Sequence, residues 1–285
     1  MDIYEKIKKK QIKRYLTTRE RIVFPGAVYH ITQRAPGREL VFVEKSDYLA
    51  FLSILKKTVK NFKLDLFCFS LLPNHLHLML KINRANLSEA MQYLFQTYAF
   101  YYNGKYMRKG HVFCGRYRAS LCNDDVYMLA VSVYIHLNPY KAGLTEEYRD
   151  YRWSSLLLYT QRDKETFVKY NEILLKLDKE LKKAREKYTD ILERSIGISG
   201  GSRIDLDSVT NFVEKAKKAV RKFYKKDSEL DKLIEKFRKQ KKVVKAEDKK
   251  ARKYLIQQLK SNGYSVTEIS KMLNFSRKTI YNIFQ

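Results

Sequence analysis

The sequence predicts an α+β chain: a four-stranded antiparallel sheet with helices packed on it, followed by an all-helical region. Three observations predict it. Over residues 21–160 the hydrophobic period switches between two and about 3.6, in the order strand, helix, strand, strand, helix, strand, helix. The second and third strands are tied together by a Pro73-Asn74 turn. Beyond about residue 160 the alternation stops and highly charged helical sequence takes over.

Each element has its own signal. "AVYHITQR" (residues 27–34) alternates and follows Pro25-Gly26, which reads as a strand. "SDYLAFLSILKKTVKNF" is an amphipathic helix, with Ser46 as the expected N-cap and Leu49, Leu52 and Leu55 as its apolar stripe. "LDLFCFSLL" and "HLHLMLKI" are the second and third strands. "NLSEAMQYLFQTYAFYYN" is a second helix, expected to end before Gly104. Its periodic aromatics read first as core, and second as a base-stacking surface. "HVFCGRYRASLC" (111–122) is the fourth strand. "NDDVYMLAVSVYIHLNP" is a third helix, capped by Asn123 or Asp124 and expected to stop at Pro139. The order β-α-β-β-α-β is the split βαβ, ferredoxin-like pattern, with two helices on one face. The other face is open or covered by the third helix.

The domain plan follows from the composition shifts. Residues 1–20 are a basic arm, 21–160 the sheet domain, and 161–203 a charged helix ("YNEILLKLDKELKKAREKYTDILERS") with a Gly/Ser linker ("SIGISGGSR"). Residues 204–285 form a helical region rich in lysine, with a helix-turn-helix cadence at about 246–285. There Ser265 and Glu268 make a capping box. "VTEISKML" and "SRKTIYNIF" are the two helices, and Ile269, Leu273 and Ile280 are their expected shared core. Arg277, Lys278 and Tyr281 are then candidates to face a DNA groove. A plain helical packing module fits the same pattern.

The net charge is +27 over 285 residues, which points to a polyanionic partner. A lysine-rich compositional bias and an anionic membrane surface are the competing readings. The three cysteines, Cys68, Cys114 and Cys122, include no CxxC pair and read as reduced core thiols rather than disulfides or a zinc site. No apolar run reaches the ~18 residues of a membrane span. "MDIYEKIKKKQIKRYL" lacks the apolar stretch of a signal peptide, so a cytoplasmic location and no membrane partner are expected.

The chemistry concentrates in two blocks. The chain has five histidines, and two of them, His75 and His77, stand two residues apart on the third strand, on the face opposite Leu76, Leu78 and Leu80. Such a pair either converges on one divalent metal or simply makes hydrogen bonds. On the third helix Tyr134 and Asn138 are four residues apart and share a face. A tyrosine hydroxyl is able to attack a phosphodiester, and an amide oxygen to complete a metal site. Tyr134 as core and Asn138 as a helix C-cap are the plainer readings. Arg34, Arg116 and Arg118 lie on the expected strands and are candidate phosphate contacts. His136, two residues from Tyr134, falls on the other side of the helix and reads as structural. His30 and His111 read as hydrogen-bonding groups.

The blocks "PGAVYHITQR", "LLPNHLHLML", "RKGHVFCGRYRASLC" and "YIHLNPYKAGL" resemble the motifs of the REP-associated tyrosine transposases. These are a branch of the single-tyrosine, His-hydrophobic-His transposases of insertion sequences. The resemblance spans about residues 20–160. It implies that Tyr134 is the nucleophile, that His75 and His77 bind Mg²⁺ or Mn²⁺, and that Asn138 assists the metal. The block that opens at Tyr134 often has Arg before the tyrosine; here it is Val133. The implied function is cleavage and rejoining of single-stranded DNA at hairpin-forming palindromes through a 5′-phosphotyrosine, by a monomer or homodimer. The C-terminal helices are a possible contact to duplex DNA. A non-catalytic DNA-binding regulator of the same fold, and a nickase of replication-initiator type, are the alternatives.

Overall fold

Alternation in the first half of the chain becomes a sheet in which nearly every residue of the first three strands is buried. The structure is a computed structural model that describes residues 23–37, 39–122, 124–161, 165–198, 206–224, 234, 236–238, 246–261 and 265–282. The expected basic arm (1–20) and residues 199–203 of the expected linker lie outside the described residues. Strand β1 (Val28–Arg34) opens after a turn in which Gly26 takes φ +86°, a conformation that suits glycine. The Gly26 N–H donates to the Ile82 carbonyl at 2.6 Å, which sets the start of β1 against the end of β3 (His75–Ile82). With β2 (Leu64–Leu72) and β4 (Arg118–Cys122) the sheet order is β2-β3-β1-β4, antiparallel throughout. This is the split βαβ arrangement expected from the sequence.

Helix α1 (Lys45–Asn61) is not capped by Ser46, as its sequence suggested. Glu44 is the N-cap, and the Asp47 carboxylate accepts from the N–H groups of Val43 (2.8 Å) and Glu44 (3.0 Å). The buried stripe is Tyr48, Phe51 and Leu55, whereas Leu49 is half-exposed. Helix α2 (Leu87–Lys105) runs through Gly104 instead of ending before it. Its last turn is held by Lys105, whose Nζ lies 2.6 Å from Asp47 Oδ1. Tyr101 (3.1 Å) and Tyr106 (2.7 Å) also donate hydroxyls to Asp47. This tertiary anchorage offsets the entropic cost of a helical glycine. The α2 aromatics Phe95, Tyr98 and Tyr102 are core, and Phe100 is exposed.

The fourth strand is shorter than the stretch 111–122. Gly110 (φ +98°) and Gly115 (φ +65°) turn the chain away from extended geometry, so only 118–122 pair with β1. Arg116 therefore sits on a loop and not on a strand. Cys114 is exposed, not core; Cys68 and Cys122 are buried. Helix α3 (Asp125–Lys141) is capped by Asp124, whose carboxylate accepts from the Tyr127 N–H at 2.7 Å; Asn123 lies outside the described residues. Pro139 does not stop this helix. A proline this late removes one N–H, while the Asn138 carbonyl still accepts from Ala142 (2.9 Å) and that of Pro139 from Leu144 (3.1 Å).

Helix α3 crosses β2, β3 and β4 and covers the histidine face of the sheet. The face of Leu76, Leu78 and Leu80 is left to α1 and α2, which pack on each other. Residues 170–195, expected as one helix, form α5 (Tyr170–Leu174) and α6 (Leu181–Ile196), after a short α4 (Leu156–Thr160). Helix α7 (Leu206–Phe223) packs on α3 and α6. The compact unit thus runs from 25 to 226, past residue 160, where the sheet domain was expected to end.

A second unit contains residues 227–285. Its α8 (Ala246–Ser261), α9 (Val266–Leu273) and α10 (Arg277–Tyr281) surround Phe237, Leu255, Ile256, Leu259, Ile269, Leu273 and Ile280. The Ser265–Glu268 capping box forms reciprocally at 3.2 and 2.7 Å. Asn274 turns the chain at φ +56°, and the Ser276 hydroxyl accepts from Thr279 N–H at 3.1 Å to start α10.

Candidate active site

The antiparallel register of β1 on β3 sets Thr32 opposite His77 and Arg34 opposite His75. Residues directly opposite share a sheet face, so β1 contributes to the same face as the two histidines. One turn of α3 lies on that face. There the Tyr134 ring meets His77 (centroids 5.3 Å, 86°) and His30 (5.8 Å, 70°) edge to face. Asn138, four residues on, brings Oδ1 to 3.1 Å from His75 Nε2. The structure therefore brings His75, His77, Tyr134 and Asn138 together from two elements far apart in sequence.

All four side chains are buried, Tyr134 and His77 without measurable exposure. The third ring on Tyr134 is Phe212 of α7, at 5.4 Å and 62°. Burial pushes the His30 and His75 pKa values down to about 4; the Asn138 contact partly opposes this at His75. His77 is held well below the ordinary value by burial first, then by the charges His75 and His30 would carry. All three imidazoles are neutral at pH 7, so each keeps one ring lone pair.

Neighbours direct those lone pairs. His75 Nδ1 lies 2.6 Å from Asn74 Oδ1 and its Nε2 3.1 Å from Asn138 Oδ1, so the neutral ring has one N–H to offer to two amide oxygens. Whichever nitrogen lacks the proton presents a lone pair. His77 Nδ1 lies 3.0 Å from His30 Nε2 and 3.3 Å from Thr32 Oγ1. His77 Nε2 is buried with no hydrogen-bond partner among the described residues. Two imidazole nitrogens and an amide oxygen fit a divalent cation whose charge is balanced by a phosphate rather than by the protein. Among the described residues no group of three His, Cys, Asp or Glu side chains could hold a metal ion.

Arg34, Arg116 and Arg118 line a cavity of about 180 Å³ together with Thr32, Gln33 and Cys114. Thr32 joins that cavity to the histidines, since its hydroxyl also reaches His30 at 3.4 Å. His136 is apart from the site, as its place on the helix implied. Its ring nitrogens lie 2.8 Å from Tyr188 Oη and 2.8 Å from Ser155 Oγ. His111 is exposed. Arg277, Lys278 and Tyr281 are exposed on α10 and belong to the second unit. His30 as the neighbour of His77, and Asn74 as that of His75, were not legible as site residues. The alternation His30, Thr32, Arg34 was the available signal, but it acquires meaning only once the strand register is known.

Residues 24–138 match the family model described as "Transposase IS200 like", a segment that ends at Asn138 and includes both histidines and Tyr134. Among solved structures, the chain is similar to the REP-associated tyrosine transposase bound to a REP hairpin. The identity is 15% and the TM-score 0.42, over 48% of this chain and 80% of that one. A comparison with curated protein sequences finds no match. No helix among the described residues is long and apolar enough to cross a membrane. The segment from residue 24 to Asn138, about two-fifths of the chain, is thus similar to the IS200-like transposases.

Proposed function

We propose that this chain cleaves and rejoins single-stranded DNA at hairpin-forming palindromes, with Tyr134 as nucleophile. The observation that carries the reading is the convergence of two buried imidazoles, His75 and His77, on Asn138 Oδ1 and the Tyr134 ring, with His77 Nε2 lacking a hydrogen-bond partner among the described residues. A buried imidazole nitrogen without a partner loses its water and gains nothing in return. A cation bound there would remove that cost.

In the proposed reaction the Tyr134 oxygen bonds to the scissile phosphorus and the P–O3′ bond breaks. The tyrosine proton ends on the departing 3′ oxygen, and the 5′ end stays on the enzyme. A second 3′-OH then attacks the phosphotyrosine and restores Tyr134. Two P–O bonds form and two break, so no nucleotide cofactor is consumed. Mg²⁺ or Mn²⁺ held by His75, His77 and Asn138 would polarise the phosphate and stabilise charge on the leaving oxygen. His30 and Asn74 act as positioning residues by fixing the tautomers of His77 and His75. Arg34, Arg116 and Arg118 hold the strand by its phosphates. DNA reaches Tyr134 only after the Phe212 ring has turned aside. Residues 21–160 carry the chemistry; residues 204–285, with Arg277, Lys278 and Tyr281, add affinity for DNA.

One observation favours a second reading, a DNA-binding regulator that does not cut: Tyr134 has no solvent exposure. The test separates the two. Full-length protein incubated with Mn²⁺ and end-labelled palindromic single strands should yield a covalent protein–DNA adduct and a free 3′-OH. Tyr134→Phe should yield neither while binding the same strands within about twofold, since only a hydroxyl is lost. Adduct formation by Tyr134→Phe would exclude this nucleophile, and its absence in the parent would favour the regulator.

A further inference from the structure

A basic groove of about 360 Å³ runs between the end of α6 and one flank of α7. It is lined by Arg194, Ile198, Lys215, Lys218, Ala219 and Lys222. On α7 the three lysines recur at i, i+3 and i+7, which makes one stripe along the helix. The stripe borders the buried row of Val209, Phe212, Val213, Ala216 and Val220. At 1.5 Å per residue, Lys215 and Lys222 stand about 10 Å apart along the axis. Arg194 Nε lies 2.8 Å from Asp190 Oδ2, and among the described residues no acidic side chain lines the groove itself. Cations gathered this closely repel one another, and a polyanion laid along them relieves that repulsion.

The groove also adjoins the nucleophile helix. Lys141, in the last turn of α3, donates to the carbonyls of Ile196 (3.1 Å) and Ile198 (2.5 Å), and Ile198 is a groove wall. Helix α7 itself places Phe212 on Tyr134. A polyanion bound to Tyr134 therefore has the lysine stripe on the neighbouring flank of the same helix.

We propose that the Arg194–Lys215–Lys218–Lys222 groove binds the DNA phosphate backbone, as a site separate from the histidine–tyrosine centre and from α10. The proposal rests on the reading of this chain as a DNA-cutting transposase. The ligand chemistry is a run of phosphodiesters, offered either by the single-stranded flank or by the duplex stem of a hairpin.

The test uses the full chain and a labelled hairpin with single-stranded flanks, titrated at several NaCl concentrations. Lys218→Gln with Lys222→Gln should weaken binding about tenfold and lower the log–log salt slope by about 1.5, because two fewer counterions are released. Lys218→Arg with Lys222→Arg should match the parent. At saturating DNA the adduct should form at the parental rate in both variants, and thermal melts should coincide. A loss seen on an unstructured strand supports a flank contact, and a loss seen on a blunt hairpin supports a stem contact. If the parent binds DNA and the Gln variant binds equally with an equal slope, the groove does not touch DNA. A loss on phosphatidylserine vesicles with none on DNA would overturn the proposal too. A parent that binds no DNA at all would instead sink the functional reading on which it rests.

Discussion

The two compact units treat their polar residues in opposite ways. In residues 25–226 the candidate groups His75, His77, Tyr134 and Asn138 are buried and lie against one another. In residues 227–285 the core is apolar (Phe237, Leu255, Ile256, Leu259, Ile269, Leu273, Ile280), and Arg277, Lys278 and Tyr281 stand in solvent. Burying imidazoles costs free energy, and where they cluster without full hydrogen bonding, as at His77, the cluster is a candidate place for chemistry. Exposed cations cost little to keep and mark, at most, an electrostatic contact. The difference teaches that burial is a better guide to a reactive site than charge is, even in a chain with a net charge of +27.

If that contrast holds, changes in the buried set should be severe and changes in the exposed set mild. The largest effect is expected at His77. His77→Ala should cut adduct formation by about a hundredfold or more, and Mn²⁺ binding followed by electron paramagnetic resonance should weaken in parallel. Retention of full Mn²⁺ affinity would detach the metal from this histidine. A smaller loss is expected one step out. His30→Ala should lower Mn²⁺ affinity about tenfold, because His77 then loses the partner that holds its tautomer. Unchanged affinity would leave His30 as packing only.

Asp47 offers a structural control in the same unit. Burial pushes its carboxyl up, but Lys105, the Glu44 N–H, Tyr106 and the Val43 N–H together hold it below the usual range. A depressed folded value means stability that is present above the unfolded pKa of about 3.9 and is lost as pH falls through the folded one. Asp47→Asn should therefore destabilise by about 1–3 kcal/mol at pH 7, with the gap from the parent narrowing below about pH 4, while leaving Mn²⁺ binding intact. A gap that stayed constant from pH 7 to pH 2 would contradict the charge argument. The smallest effect belongs to α10: Arg277→Ala with Lys278→Ala should weaken DNA binding severalfold and reduce the salt slope by about 1 to 2. A loss as large as that of His77→Ala would erase the distinction between the units.

What the sequence disclosed follows the range of the forces involved. Strand identity and the shared face of His75 and His77 depend on a period of two, which is local, and both were legible. So were the shared face of Tyr134 and Asn138 and the Ser265–Glu268 box, which depend on spacings of three and four. Helix ends at Gly104 and Pro139 were misjudged because local propensity yields to anchorage, here by Asp47 and by the carbonyls of Asn138 and Pro139. His30 and Phe212 were out of reach because their partners lie 47 and 78 residues away in sequence (77 − 30 and 212 − 134). No periodicity reports a pairing across that distance.

The pairing of β1 with β3 makes the site depend on the parity of chain length. Thr32 faces His77 and Arg34 faces His75 because both strands count from fixed turns, at Gly26 and at Pro73-Asn74. One residue inserted inside either strand would turn its whole inward set outward, and in β3 it would swap imidazoles for leucines beneath Tyr134. Relatives of this chain can thus exchange side chains along β1 and β3 freely by comparison with altering their length. Odd-numbered insertions should be confined to the turns and helices, with the strands accepting length changes only in pairs or through a compensating bulge.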